Sequence, residues 1–133
     1  MLLVKTFIAY SANKGIGLFA DQLIPKNVKY WKRDEVFDNI FTPFQISSLE
    51  VIAVEYIKKH GFLETSGNWY LCNDNGRFSN HSDNPNSRNL VDEKGLVQFS
   101  VTTRDILKGE EILCDYKEIC LDSKNNLGFD VSQ

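Results

Sequence analysis

Three short stretches carry the side chains best suited to chemistry. The first is Gly15-Ile16-Gly17-Leu18-Phe19-Ala20. Glycines on both sides of one residue let the backbone take positive φ or come close to a ligand. A plain tight turn would have the same composition. A dinucleotide fingerprint is excluded, because no third glycine and helix follow. The second stretch, Gly76-Arg77-Phe78-Ser79-Asn80-His81-Ser82-Asp83-Asn84-Pro85-Asn86, is a dense polar cluster. Its asparagines offer both donors and acceptors, as an amino-acid head group requires, and Arg77 could face a carboxylate. The alternative is a loop of side-chain-to-backbone turns closed by Pro85. The third stretch, Lys108-Gly109-Glu110-Glu111-Ile112-Leu113-Cys114-Asp115-Tyr116, sets a tyrosine at the end of a buried element. Taken alone, Tyr116 reads equally as a core tyrosine whose hydroxyl has a partner.

The elements that must position these stretches are short. Residues 2–10 are apolar and β-branched and predict a strand, with a turn at 13–17 and a second strand from Leu18. Pro25-Lys26-Asn27 predicts a turn, since Asn tolerates positive φ. Leu49, Ile52, Ala53, Tyr56 and Ile57 recur at helical spacing, predicting a helix that packs this face on the core. Ser47 and Glu50 suggest its capping box, and Lys58, Lys59, His60 and Gly61 suit its C-terminal end. Strands are expected at Trp69–Cys72, at 97–102 with Val97, Phe99 and Val101 inward, and at 112–114. The turns Asp92-Glu93-Lys94-Gly95 and Lys108-Gly109 separate them, and 73–86 is loop. Trp31 and Trp69 are expected in the core. Many short strands with one main helix make an α+β fold that is mostly β.

The length of 133 residues suits a single domain spanning 1–133, able to bury a core of its own. The net charge of −3 lacks the basic footprint of a nucleic-acid binder and is compatible with a basic protein partner. Cys72, Cys114 and Cys120 are odd in number and form no C-x-x-C pair, so neither a disulfide framework nor a structural metal site is indicated. No apolar run reaches the ~20 residues a membrane helix needs, and the start does not read as a signal peptide. A cytoplasmic protein is the expectation.

Taken in order, the three stretches resemble the SET-domain family of protein lysine methyltransferases, in the form of a small stand-alone, bacterial-type member without zinc-binding flanks. The resemblance rests on Gly15-Ile16-Gly17 with Phe19-Ala20, on Arg77-Phe78-Ser79-Asn80-His81-Ser82 running to Pro85-Asn86, and on Gly109-Glu110-Glu111 running to Asp115-Tyr116. It spans about residues 5–116, leaving 117–133 as a tail expected to pack near the site. It implies a β-clip fold with a C-terminal pseudoknot and S-adenosylmethionine as cofactor, with no metal. By position it assigns cofactor binding to Lys14, Gly15, Ile16, Gly17, Arg77, Phe78, Asn80 and His81, and catalysis to Tyr116. Tyr70, Cys114 and Phe129 are candidates for the substrate channel.

Two departures from the family pattern matter. The zinc-binding cysteines that flank many members are missing, so something else must complete the substrate groove. Cys114 stands where many members have Phe or Tyr, which leaves room for more than one methyl group. The implied substrate is a protein with an exposed lysine, a basic tail being one candidate. The competing reading is a catalytically silent SET-like module that binds a partner peptide or the cofactor. Substrate identity and oligomeric state are not legible in the chain.

Overall fold

The computed structural model describes residues 1–12 and 14–118. Strand β1 (Thr6–Ser11) and strand β2 (Gly15–Ala20) form an antiparallel hairpin in unbroken register from Thr6↔Ala20 to Ser11↔Gly15. Phe7 and Phe19 face each other across it and stack at 5.5 Å, the kind of aromatic pair that stabilises a ladder. The turn is shorter than expected. Lys14 N donates to Ser11 O at 3.0 Å, and β2 begins at once at Gly15, whose φ of +78° suits a residue without a Cβ.

Strand β3 (Lys29–Lys32) follows the Pro25-Lys26-Asn27 turn, where Asn27 takes φ +66° as expected. Strand β4 (Asn39–Phe41) leads into helix α1 (Pro43–Ser48) and helix α2 (Val51–His60). The capping box lies earlier than expected. Thr42 accepts from Gln45 N while Gln45 Oε1 accepts from Thr42 N, and Pro43 supplies a preset φ at the first helical position. Ser47 instead donates to Phe44 O, and Glu50 makes no side-chain cap. The apolar stripe of α2 is also not buried as expected. Ile57 is its one buried residue, while Ile52 is 79% exposed and Leu49 and Tyr56 are exposed too. The helical period was right, but α2 lies at an edge, where just one turn meets the second core.

Strands β5 (Phe62–Leu63) and β6 (Trp69–Leu71) join β4 in an antiparallel sheet ordered β4-β6-β5. Gly61 connects α2 to β5, where a Cβ would lie 2.7 Å from Ile57 O and 2.8 Å from Tyr70 O. After a 3-10 turn at Asn75–Phe78 come strand β7 (Asn80–His81), strand β8 (Ser87–Val91), strand β9 (Val97–Thr102) and strand β10 (Leu113–Cys114). Strands β3, β9 and β8 form a third sheet. Strand β9 is buried on both faces, contrary to the alternation in its sequence. Ser100 donates to Asn89 Oδ1, and Thr102 donates to Pro25 O while accepting from Val28 N, so these hydroxyls can afford burial.

The main core gathers Leu18, Ala20, Ile24, Tyr30, Trp31, Tyr70, Cys72, Val97, Ile106 and Ile112; a smaller one holds Ile57, Trp69 and Leu71. Both tryptophans are buried as expected. The result is mostly strand with little helix, as the sequence predicted. No helix among the described residues is long and apolar enough to cross a membrane. The residues 119–133, with Cys120 and Phe129, lie outside the described residues.

Candidate functional site

The late segment 110–114 passes between two strands far from it in sequence. On one side Ala20 N donates to Glu110 O and Ile112 N to Leu18 O, both along β2. On the other, β10 pairs in parallel with β7, matching Leu113 to Asn80 and Cys114 to His81. Asn86 completes the clamp. Its buried amide donates to Glu111 O and accepts from Leu113 N, both at 2.8 Å, standing in for a peptide unit of a missing strand. This threading brings all three sequence stretches together.

On the β2 side, Asn80 Nδ2 donates to Ile16 O at 3.1 Å and to Glu111 Oε2 at 2.9 Å. Glu111 Oε1 accepts from Ser11 Oγ at 2.7 Å. Gly17 is pressed against this group: a Cβ there would sit 2.6 Å from Glu111 Oε2 and 2.9 Å from Ser11 Cβ. Lys14 reaches across, its Nζ 2.8 Å from His81 O. Gly15 has nothing within 4 Å of a would-be Cβ, so the backbone there is open to a ligand.

On the other side, His81 and Tyr116 lock together. Tyr116 N donates to His81 Nδ1 at 3.1 Å, which makes Nδ1 the acceptor and puts the ring proton on Nε2, 2.9 Å from Asp83 Oδ1. The Tyr116 hydroxyl donates to the carbonyl of Ser79. Tyr116, Ser79 and Cys114 line a cleft of about 70 Å³ whose walls also include Tyr30, Trp31, Leu18 and the end of α2. Cys114 Sγ lies 3.7 Å from Asn80 O, at the edge of the cleft nearest Asn80. Among the described residues, no cluster of His, Cys, Asp or Glu is placed to hold a metal ion.

A sequence model of the SET domain matches residues 15–117. The chain belongs to the SET domain family. Among solved structures, a Plasmodium falciparum protein put forward as a histone methyltransferase matches with a TM-score of 0.57 and 23% identity, over 84% of this chain and 96% of that one. At that identity the likeness speaks for the fold. None of the curated proteins matches the chain.

Within this SET domain, Lys14, Gly15, Ile16, Gly17, Asn80, His81 and Tyr116 come together; of the other expected residues, Arg77 lines the Tyr116 cleft, while Phe78 and Tyr70 do not. Arg77 turns towards α2: its guanidinium donates to Tyr56 Oη at 2.6 Å, to Cys72 O at 2.9 Å and to Asn73 Oδ1 at 3.2 Å. Its three partners are a phenol, a backbone carbonyl and an amide oxygen. Phe78 packs edge-on against His60. Tyr70 does not line the cleft either. It is fully buried and donates to Asp38 Oδ2 at 2.5 Å, and burial followed by the Asp38 carboxylate pushes its phenol pKa well up. Its place in β6, stacked on Phe62 and edge-on to Trp31, makes it a core residue.

Sequence reasoning missed Glu111, Ser11 and Asn86 as organisers of the SET site. The acids at Glu110 and Glu111 sit beside an apolar strand, a signal that at least one is paired. Which one, and with what, depends on a contact spanning 100 positions.

Proposed function

We propose that this chain is an S-adenosylmethionine-dependent protein-lysine N-methyltransferase. One observation carries the reading. The same two-residue strand, Asn80-His81, holds the Gly15–Gly17 side through Asn80 and the cleft tyrosine Tyr116 through His81. A cofactor pocket and a substrate cleft that share one wall are what transfer between two ligands requires.

The donor set fits the cofactor. An amino-acid head group needs a cation for its carboxylate and oxygen acceptors for its ammonium. Lys14 is an exposed ammonium beside the His81 carbonyl, and the Ile16 carbonyl and Asn80 amide stand next to it. Gly15 leaves space over the backbone, and Gly17 lets β2 close on Glu111. In this reading Lys14, Gly15, Ile16, Gly17, Asn80 and His81 hold the cofactor, and Arg77 serves the cleft instead. When bound, S-adenosylmethionine supplies a methyl group on a positively charged sulfur, open to in-line displacement by an amine.

The chain's own part is alignment and desolvation. Alignment of two reactants can supply about 7–11 kcal/mol of the barrier. Tyr116 is the catalytic residue. Its hydroxyl hydrogen is committed to Ser79 O, so it offers the cleft lone pairs, and these accept an amine N–H or a polarised methyl C–H. A free lysine titrates at about 10.4 and must arrive neutral. The apolar walls of Leu18, Trp31 and Val97 disfavour the charged ammonium, and Arg77 on the cleft adds repulsion of the same sign. Cys114 lines the cleft, and its small thiol leaves space for successive methyl groups.

The test pairs calorimetry with turnover. Wild type should bind S-adenosylmethionine and transfer tritiated methyl to lysine peptides. Tyr116→Phe should keep cofactor affinity within about threefold and lose about 10²-fold in turnover. Failure of well-folded wild type to bind the cofactor would overturn the assignment and favour the silent binding module.

A further inference from the structure

Asn80 commits both hydrogens of its side-chain amide to the protein. Nδ2 donates to Ile16 O at 3.1 Å and to Glu111 Oε2 at 2.9 Å. The reversed amide would set Oδ1 against a carbonyl oxygen and a carboxylate oxygen, three acceptors with no hydrogen among them, so chemistry fixes the orientation. Oδ1 therefore points away from both, and among the described residues nothing donates to it.

Glu111 makes that orientation obligatory. Its carboxylate only accepts, so it must meet the donor end of its neighbour. Oε1 accepts from Ser11 Oγ at 2.7 Å, across 100 positions of chain, which leaves Oε2 for Asn80. Ser11 is buried at the end of β1. The carboxylate has space because residue 17 is glycine: a Cβ there would lie 2.6 Å from Glu111 Oε2 and 3.1 Å from Asn80 Nδ2. The strand does not need this side chain to hold its place. The backbone of Glu111 already bridges Phe19 on β2, and its carbonyl accepts from Asn86 Nδ2 at 2.8 Å. The contacts of the carboxylate are therefore available to do something else.

We infer that Glu111, braced by Ser11, is a positioning residue that turns Asn80 Oδ1 towards the ammonium of the cofactor's amino-acid head group. The inference rests on the proposed methyltransferase reading, in which the Gly15–Gly17 side holds that cofactor. Oδ1 and the Ile16 carbonyl then act as paired acceptors, and Lys14 supplies the cation for the carboxylate. Without Glu111 the amide is free to turn, and its hydrogens then meet those of the ammonium. The loss is confined to ligands that carry the head group.

The experiment compares two probes on the intact chain. S-Adenosylhomocysteine carries the amino-acid head group, and 5′-methylthioadenosine lacks it. Calorimetry reads the first, a ligand-observed NMR titration reads the second, and thermal melting checks the fold. Glu111→Ala should weaken S-adenosylhomocysteine about tenfold and leave methylthioadenosine within about twofold. Glu111→Gln should keep the first probe within about threefold. Its Oε1 still accepts from Asn80 while its amide donates to Ser11 Oγ, a hydroxyl that accepts as well as donates. Ser11→Ala probes the same contacts should Glu111→Ala fail to fold, and should weaken the first probe alone by about threefold. Equal loss of both probes in the alanine variants, no loss of either, or a glutamine variant as weak as Glu111→Ala would overturn the inference. Wild type that binds S-adenosylhomocysteine with no dependence on Glu111 removes the inference and leaves the methyltransferase standing. Wild type that binds neither probe removes both.

Discussion

Tyr116 N donates to Nδ1 of His81, joining residues 35 positions apart in the chain. That bond fixes where the phenol enters the cleft, because the ring swings about a backbone held at the end of β10. It also fixes the imidazole tautomer. His81→Ala should therefore lower kcat by about 10²-fold by freeing Tyr116. Asp83→Ala should change it by less than about threefold, since the Asp83 carboxylate is 87% exposed and water can replace it. Steady-state kinetics of the two variants separate these outcomes.

Gly17 and Gly15 are required for different reasons. At Gly17 a methyl group runs into Glu111 Oε2 and Ser11 Cβ, so Gly17→Ala should push Glu111 off Asn80, costing about 1–3 kcal/mol and weakening cofactor binding. At Gly15 there is space, and the cost comes from φ +78° alone, about 1 kcal/mol. Urea unfolding midpoints with calorimetry would show a loss of cofactor affinity beyond the loss of stability at Gly17.

Tyr70 should behave as a core residue. Tyr70→Phe leaves the buried Asp38 oxygen without its phenol donor and should destabilise the fold by about 1–3 kcal/mol. Turnover below the melting transition should be unchanged. A selective loss of kcat with normal stability would return Tyr70 to the lysine channel.

Cys72 should be nearly inert in the folded protein. Burial, with Asp38 next, raises its thiol pKa to about 12. At pH 8 its thiolate fraction is then about 10³-fold below that of an ordinary cysteine, before access is counted. Alkylation followed by peptide mass spectrometry should label Cys72 only as the protein unfolds.

Much of the site was legible one stretch at a time. The two glycines, the Asn80-His81 pair and Tyr116 each carry a residue type whose chemistry is local: backbone freedom, amide donors and acceptors, a phenol. The strands at 69–71 and 97–102 followed from short-range composition for the same reason. What failed were inferences about surroundings. The stripe on α2 has a true helical period, but periodicity says that a face is apolar and not that anything covers it. Ser100 and Thr102 read as solvent-facing because burial of a hydroxyl depends on partners such as Asn89 and Pro25, which no pattern within β9 reveals.

The sequence by itself determined the class of fold, the family and the residues able to do chemistry, since these depend on types and spacings within a few positions. The tertiary structure alone decided which of them meet. Segment 110–114 had to thread between β2 and β7 before Glu111 could reach Ser11 and Asn80, and before Tyr116 could reach Ser79. It also decided that Tyr70 belongs to the core and that Arg77 turns to α2 and lines the cleft. Hydrogen bonds and charge interactions act over a few ångströms of space, and only the threaded chain brings positions a hundred residues apart within that range.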